Sequence, residues 1–449
     1  MRILPTATTG TAVATPDGAT SVERPAEVAP AQETPTAPQV RTWPGQAILE
    51  APETAAVMHS AWSGDPAVVV PSPPGAGKTR LVALLAVALA HRAEMRIGVA
   101  AQTREQAIEI ARRIGGLTTL ATLMWKAGGA QPEVPGCKVA AGSGVRFPPQ
   151  GGGILIGTTA RWLFARPDVL SCDLLIVDEA WQATYADLGA LGAFASQVVC
   201  VGDPGQIDPV VTGNTDRWRE RTDAPNLPAP EALIAAHGEA VSVVSLRHTW
   251  RLGPATTALI QPAFYPRLPF TSRRPPEHIS DQDGCVLPEL AHQVIAAPGG
   301  PSDPALTAAC ADRARDLLGT TYTTSGPDSG DRAITEGDLA VVCAHVSQAA
   351  AVRARLANLP DVLVGTANQL QGLERPAVVA PHPLAGYRDA SAFTADTGRA
   401  CVMLSRHRSH LSLIIDAATP DVLAETDPEI PGIAAHSRIL NTALNGPTI

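Results

Sequence analysis

Two short runs carry residues of the type and spacing that triphosphate chemistry needs. In "SPPGAGKT", Ser72 to Thr79, glycines let the backbone come close to an anion, a lysine can neutralise charge on the β- and γ-phosphates, and a hydroxyl can bind a divalent cation. The usual form of such a loop has glycine at both ends. Ser72 stands at the first of these positions, while Gly75 and Gly77 remain for close approach. The expected nucleotide-binding stretch is Ser72, Pro73, Pro74, Gly75, Ala76, Gly77, Lys78, Thr79 and Arg80. Hydrolysis also needs a carboxylate to hold Mg²⁺ and a base for the attacking water. "LLIVDEAWQA" supplies adjacent acids at the end of an apolar run: Asp178, together with Thr79, to hold the metal, and Glu179 to take the proton. Taken singly, the acids could be a helix N-terminal charge preference and the loop a Gly-Pro turn before an Ala-rich helix. Their occurrence in this order favours the catalytic reading.

The elements that must position these runs read as parallel sheets covered by helices, because short β-branched runs alternate with longer helical patterns from Pro66 onward. "AVVV" (67–70) is a strand before the loop and "TRLVALLAVALAHRA" a helix after it. "MRIGVAA" (95–101), "GILIGTT" (153–159), "CDLLIVDEA" (172–180) and "SQVVCVGD" (196–203) complete five strands of a first α/β domain. The Gly/Pro-rich stretch 126–152 reads as a surface insertion. A second α/β pattern opens near Ala240 with "VSVVSL". It continues through "DLAVVCA" (338–344), "DVLVGTA" (361–367), "PAVVAPHP" (376–383) and "RACVML" (399–404) to "HLSLIID" (410–416), with 271–335 read as loop-rich. The expected domains span 41–239 and 240–449, behind a Pro/Thr/Ala-rich tail at 1–40 too poor in large aliphatics to repay the entropy of ordering.

The residues resemble the superfamily 1 helicases from about Leu49 to Ile415. "SPPGAGKT" is similar to their first motif, "AAQTREQA" to motif Ia, "IGTTA" to motif Ic, "DEAWQ" to motif II and "GDPGQIDPV" to motif III. "SLRHTWRLGPATTALIQPAFYP" is similar to motif IV and its continuation, "VGTANQLQGLERPAVV" to motif V and "RACVMLSRHRSHLSLI" to motif VI. The DEAxQ and Q-G-x-E forms resemble the branch that includes the nonsense-mediated decay helicase and the Okazaki-fragment nuclease-helicase. The resemblance implies two tandem RecA-like P-loop NTPase domains with ATP and Mg²⁺ in the cleft between them. It implies that Gln206 senses the γ-phosphate, and that Arg251 and Arg406 reach the triphosphate from the second domain as arginine fingers. Gln371, Gly372 and Glu374 would sit at the domain interface beside the nucleotide, Gly372 allowing close approach and Glu374 organising the turn. Thr103, Thr158, Thr159 and Thr366 would hold the phosphates of a nucleic-acid strand; as isolated threonines they read as strand filler or caps.

Two positions depart from the family pattern. Where relatives carry a glutamine that reads the adenine edge, this chain has Glu53, and an ionised carboxylate only accepts hydrogen bonds, so nucleotide selectivity is in question. Trp181 replaces a small residue in motif II, leaving open a packing role or a platform beside the base or strand.

A formal charge of −9 argues against a broadly basic coat, and 4% aromatic content limits base stacking, so any nucleic acid must bind in a local groove. Seven cysteines without C-x-x-C spacing fit reduced thiols better than disulfides or a zinc site. The opening lacks a signal-peptide pattern and no segment gives about 18 uninterrupted apolar residues, so a cytoplasmic, membrane-free protein is expected. The resulting expectation is an ATP hydrolase moving 5′→3′ along, or unwinding, single-stranded nucleic acid, DNA in preference to RNA, with the tail open to protein partners. A nucleic-acid-stimulated switch without unwinding, and a P-loop regulator acting on a protein partner, remain alternatives.

Overall fold

Runs of Val, Ile and Ala too short for helices become buried strands in the computed structural model, which describes residues 42–325 and 329–449. The tail expected at 1–40 lies outside the described residues. Eight strands form one wholly parallel sheet: β1 (Ala67–Pro71), β2 (Arg96–Ala101), β3 (Ala121–Met124), β4 (Lys138–Ala140), β5 (Gly153–Thr158), β6 (Cys172–Asp178), β7 (Ala195–Gly202) and β8 (Val241–Val243). Their order is β4-β3-β5-β2-β6-β7-β1-β8. Helix α1 (Pro52–Ser63) precedes β1, and α2 (Lys78–Arg92), α3 (Arg104–Gly115) and α4 (Thr159–Leu163) lie in crossovers of this sheet. α2, rich in Leu, Val and Ala, is buried along almost its whole length against Ile97, Ile110, Ile154 and Ile176. Such a helix has no polar face because both the sheet and neighbouring helices cover it.

Beyond β8 come a two-stranded parallel pair, β9 (His248–Thr249) with β10 (Thr271–Ser272), and then β11 (Glu277–Ser280), β12 (Leu290–Ile295), β13 (Thr321–Thr324) and β14 (Gly330–Ala333). β11, β13 and β14 make a small antiparallel sheet. β12 joins β15 (Leu339–Cys343), β16 (Leu363–Thr366), β17 (Arg375–Pro381) and β18 (His407–Asp416) in a second wholly parallel sheet, ordered β12-β18-β17-β15-β16. The fold is thus α/β, with two RecA-like parallel sheets flanked by helices. Each sheet has apolar clusters on both faces.

Several expected elements are corrected. "RACVML" lies in a helix, Thr397–Leu404, started by Asp396, whose carboxylate accepts from the Arg399 amide at 2.8 Å. Its apolar run is buried on every side, so alternation could not separate helix from strand. Of "VSVVSL" only Val241–Val243 is extended, and it pairs with β1 in the first sheet instead of opening the second. The stretch 126–152 is not only an insertion, since Lys138–Ala140 returns to pair with β3 at the sheet edge. The span 271–335 holds the antiparallel sheet, β12 and a helix, Pro304–Asp316, capped by Asp303.

Candidate functional site

The loop from Ser72 to Gly77 leaves the carboxyl end of β1 and enters α2, a crossover that exposes the first-turn amides of a helix. No side chain caps α2, whose preceding residue is Gly77. Gly75 and Gly77 are left-handed, with φ of 72° and 85°, and Ser72 is not. The first glycine position therefore requires no glycine here. Ser72 is fully buried; its amide donates to the Gly202 carbonyl at 2.9 Å and its hydroxyl to the Val70 carbonyl at 3.0 Å.

Lys78 is 9% exposed, with Nζ 3.5 Å from Asp203 Oδ2 and from the Pro73 carbonyl. Asp178 ends β6 beside the loop, and its Oδ1 is buried without a hydrogen-bond partner. Burial, then the neighbouring Glu179 charge, pushes the Asp178 carboxyl up to about 7, with Lys78 acting in the opposite direction. A buried carboxylate with a bare oxygen next to a lysine-bearing loop suits a divalent cation, and Thr79 stands one residue beyond that lysine. Glu179 is half-buried and left-handed at φ 51°, a conformation that costs a non-glycine residue about 1–2 kcal/mol. Gln182 Nε2 donates to its Oε2 at 3.3 Å.

Asp203 was not singled out from the sequence, yet it collects the most contacts. It stands one residue beyond β7, much as Asp178 closes β6, and that shared place at a strand's carboxyl end is the available signal. Its carboxylate accepts from the Gly205 amide at 3.0 Å, Gln206 Nε2 at 2.6 Å and the Tyr265 hydroxyl at 2.7 Å, besides facing Lys78. Gln206 Oε1 in turn accepts from Gln371 Nε2 at 2.9 Å, joining the turn after β7 to the segment between β16 and β17. Gly372 follows in a left-handed turn at φ 83°.

From the second half of the chain Arg251 comes to this loop, and Arg406 lies where the charges of Arg251 and Asp203 act on it. The Thr249 hydroxyl donates to the Pro74 carbonyl at 2.7 Å and the Trp250 amide to the Gly75 carbonyl at 2.9 Å, laying this segment on the loop. A Cβ built on Gly75 would sit 2.3 Å from the Arg251 Cβ. Arg251 Nε pairs with Glu374 Oε2 at 2.5 Å. Arg406 is 2% exposed; its Nη2 donates to Ser405 Oγ at 2.9 Å, its Nε has no partner, and no carboxylate pairs with it among the described residues. Burial first, then the Arg251 charge, lowers its guanidinium to about 10. An unpaired buried cation is costly, and a bound anion would relieve it.

Other expected residues lie elsewhere or do other work. Arg80 forms an exposed pair with Glu50 at 3.2 Å. Glu53, in the first turn of α1, lies 3.8 Å from His248 Nε2, next to the Thr249 that touches the loop. Thr103 and Thr158 cap α3 and α4, accepting from the Gln106 and Arg161 amides. The Thr159 hydroxyl donates to the Ala101 carbonyl at 3.4 Å, and Thr366 closes a turn with Gln369. All four stand at carboxyl ends of strands or just beyond, where open α/β sheets take ligands. Trp181 is 4% exposed, packs on Gly202 and donates to Glu231 Oε1 at 3.3 Å, so it is a core residue. No group of three or more candidate metal-ligating His, Cys, Asp or Glu occurs among the described residues, and none of their helices is long and apolar enough to cross a membrane.

Residues 49–227 match the family described as an AAA domain. No curated protein matches the sequence. Among solved structures the chain is similar to a PRRSV helicase, at 16% identity over 81% of this chain and 55% of that one, with a TM-score of 0.41. It is also similar to the Arterivirus nonstructural protein 10 helicase, at 15% identity over 83% and 64% of the two chains, with a TM-score of 0.44. The complex of that helicase with DNA gives 15%, 83%, 65% and 0.42. The chain thus spans less than two thirds of each of these structures.

Proposed function

We propose that this protein is a nucleic-acid-dependent ATPase of the superfamily 1 helicase type, in its DEAxQ branch, working in the cytoplasm and moving 5′→3′ along single-stranded DNA. The observation that supports this reading is the gathering around one loop of Lys78, Asp178, Asp203 and Arg251, with the buried Arg406 under the influence of the Arg251 and Asp203 charges. A phosphate-binding protein needs only the loop. Arginines supplied across a cleft offset charge that develops during phosphoryl transfer.

ATP would lie with its phosphates on the Gly75–Thr79 backbone. Mg²⁺, when bound, would neutralise phosphate charge, and Thr79 and Asp178 are the residues that would hold it. Lys78 exchanges its contact with Asp203 for the phosphates. Glu179 accepts the proton of the attacking water at its carboxylate, oriented by Gln182. Arg406, buried and unpaired, and Arg251, fixed on the loop rim, meet the γ-phosphate. Gln206 touches both Asp203 and Gln371, so loss of the γ-phosphate is felt in the second half of the chain. Thr103, Thr158, Thr159 and Thr366 take the nucleic-acid backbone from strand ends at the two sheets.

The test is the ATPase rate with single-stranded DNA, single-stranded RNA and no polymer, beside Glu179→Gln. Stimulation by DNA that vanishes in the variant supports the reading. Turnover indifferent to both polymers returns the protein to the regulator class, and stimulation without strand displacement to the switch.

A further inference from the structure

Glu374 is itself held from behind. Its Oε1 accepts from Arg408 Nη1 at 3.1 Å while its Oε2 serves Arg251. Arg408 also reaches Glu277 of β11: Nε donates to Oε2 at 3.3 Å, and Nη2 lies 3.0 Å from Oε1 as an ion pair, an oxygen that has no hydrogen-bond partner among the described residues. Glu277 also accepts from the Tyr322 hydroxyl of β13, and Arg274 flanks it at 3.9 Å and donates to the Arg408 carbonyl. The Glu277 side chain is 4% exposed. A connected chain thus runs from the antiparallel sheet to the loop rim, from the neutral Tyr322 hydroxyl through the alternating charges of Glu277, Arg408, Glu374 and Arg251.

Burial pushes the Glu374 carboxyl up, and the guanidinium groups of Arg251 and Arg408 more than offset it, so it lies below its ordinary value. The edge by which Arg251 is gripped decides what the chain of charges does. Glu374 takes Nε, Nη1 reaches the Ser405 carbonyl at 3.5 Å, and Nη2 has no partner among the described residues. A carboxylate competing with phosphate would occupy the terminal nitrogens. One that grips Nε fixes the plane of the guanidinium and leaves a terminal donor open, which is preorganisation.

Resting on the proposed ATPase function, we propose that Glu277, with Tyr322 and Arg408, is a positioning residue for hydrolysis: it fixes Arg408, hence Glu374, hence the guanidinium of Arg251 over the loop. Without the Glu277 charge, Arg408 turns all its donors on Glu374 and draws it from Arg251, which regains rotamer freedom. The network contacts no phosphate-binding residue except through Arg251, so nucleotide affinity is untouched. The small antiparallel sheet, a segment with no counterpart in the phosphate chemistry, becomes part of the catalytic scaffold.

The test measures kcat and KM for ATP, with saturating single-stranded DNA, in the full chain. Glu277→Gln is expected to lower kcat about tenfold with KM within twofold, and Tyr322→Phe, which removes only a hydroxyl, to lower kcat by a few-fold with an unchanged melting temperature. Glu277→Gln combined with Glu374→Gln should be no slower than Glu374→Gln alone, because both act through one contact. Full-rate Glu277→Gln and Tyr322→Phe in a hydrolysing protein would overturn the inference and leave the ATPase reading intact. So would multiplicative losses in the double variant, or losses confined to KM or melting temperature. A wild-type chain without hydrolysis overturns both.

Discussion

Gly75→Ala isolates the contact between the loop and the Thr249–Arg251 segment. The new methyl would meet the Arg251 Cβ at 2.3 Å, the Thr249 hydroxyl at 2.9 Å and the Arg251 amide at 3.0 Å. None of these is the tip of a flexible side chain. Ordinary carbon contacts lie near 3.5–4 Å, so the segment must withdraw by about 1–1.5 Å. Withdrawal stretches two hydrogen bonds, Thr249 Oγ1 to Pro74 and Trp250 N to Gly75, each worth about 1 kcal/mol. The left-handed φ of 72° adds about 1–2 kcal/mol for a residue with a Cβ. The expected destabilisation is about 3–4 kcal/mol, and an arginine displaced by about 1 Å costs about 10²-fold in turnover. Gly77→Ala is the control. Its φ of 85° carries the same strain, but its Cβ would meet nothing within 4 Å, in space that a bound phosphate would take. Gly75→Ala should therefore lose kcat while retaining binding of a fluorescent nucleotide analogue within a few-fold, and Gly77→Ala should chiefly lose binding. Gly75→Ala turning over at the wild-type rate, with its fold intact by circular dichroism, would refute the assignment of Arg251 to the loop.

Glu179→Gln should retain nucleotide binding and lose hydrolysis by about 10²–10⁴-fold, measured by phosphate release. Gln371→Ala removes the hydrogen bond to Gln206 and should reduce stimulation by single-stranded DNA more than the rate without polymer; equal losses would mean the contact carries no signal. Glu53→Gln restores a donor beside the loop mouth and should lower KM for ATP by about fivefold, the worth of one hydrogen bond of about 1 kcal/mol. Burial lowers both His410 and His436 to about 4. The fold binds fewer protons than the unfolded chain between their folded values and the ordinary 6.5. Stability therefore falls as pH drops through that window, by up to about 1.4 kcal/mol per pH unit for each histidine. Urea midpoints that do not fall from pH 7 to pH 5 would contradict this.

The parts legible in the sequence were those where chemistry is local. A glycine loop between a strand and a helix, and acids that end apolar runs, are patterns within a dozen residues, and β1, β2, β5, β6 and β7 stand where those patterns place them. Asp203 shares the strand-end signal of Asp178, but a single acid followed by Pro-Gly also reads as a turn. Tyr265, Glu277 and Tyr322 could not be found, since Asp203 lies 62 residues from Tyr265, and Tyr322 and Arg408 lie 45 and 131 residues from Glu277, and no spacing encodes such contacts. The helix at Thr397–Leu404 was misread for a different reason: in a fully covered apolar run, no polar residue marks the period. The threonines show the opposite limit. Their side chains satisfy caps and turns locally, so residue type alone did not separate an architectural hydroxyl from one reserved for a ligand.

The contact between Lys78 and Asp203 gives the loop lysine a counter-ion from its own chain. With its ammonium faced by a carboxylate, the lysine would attract a free anion less than an unpaired one would. On the proposed function, an incoming triphosphate would displace that internal counter-ion, and the counter-ion would return when the diphosphate leaves. Asp203 would thereby lower affinity for the sake of rapid exchange, and its hydrogen bonds with Tyr265 and Gln206 tie the same carboxylate to the rest of the chain.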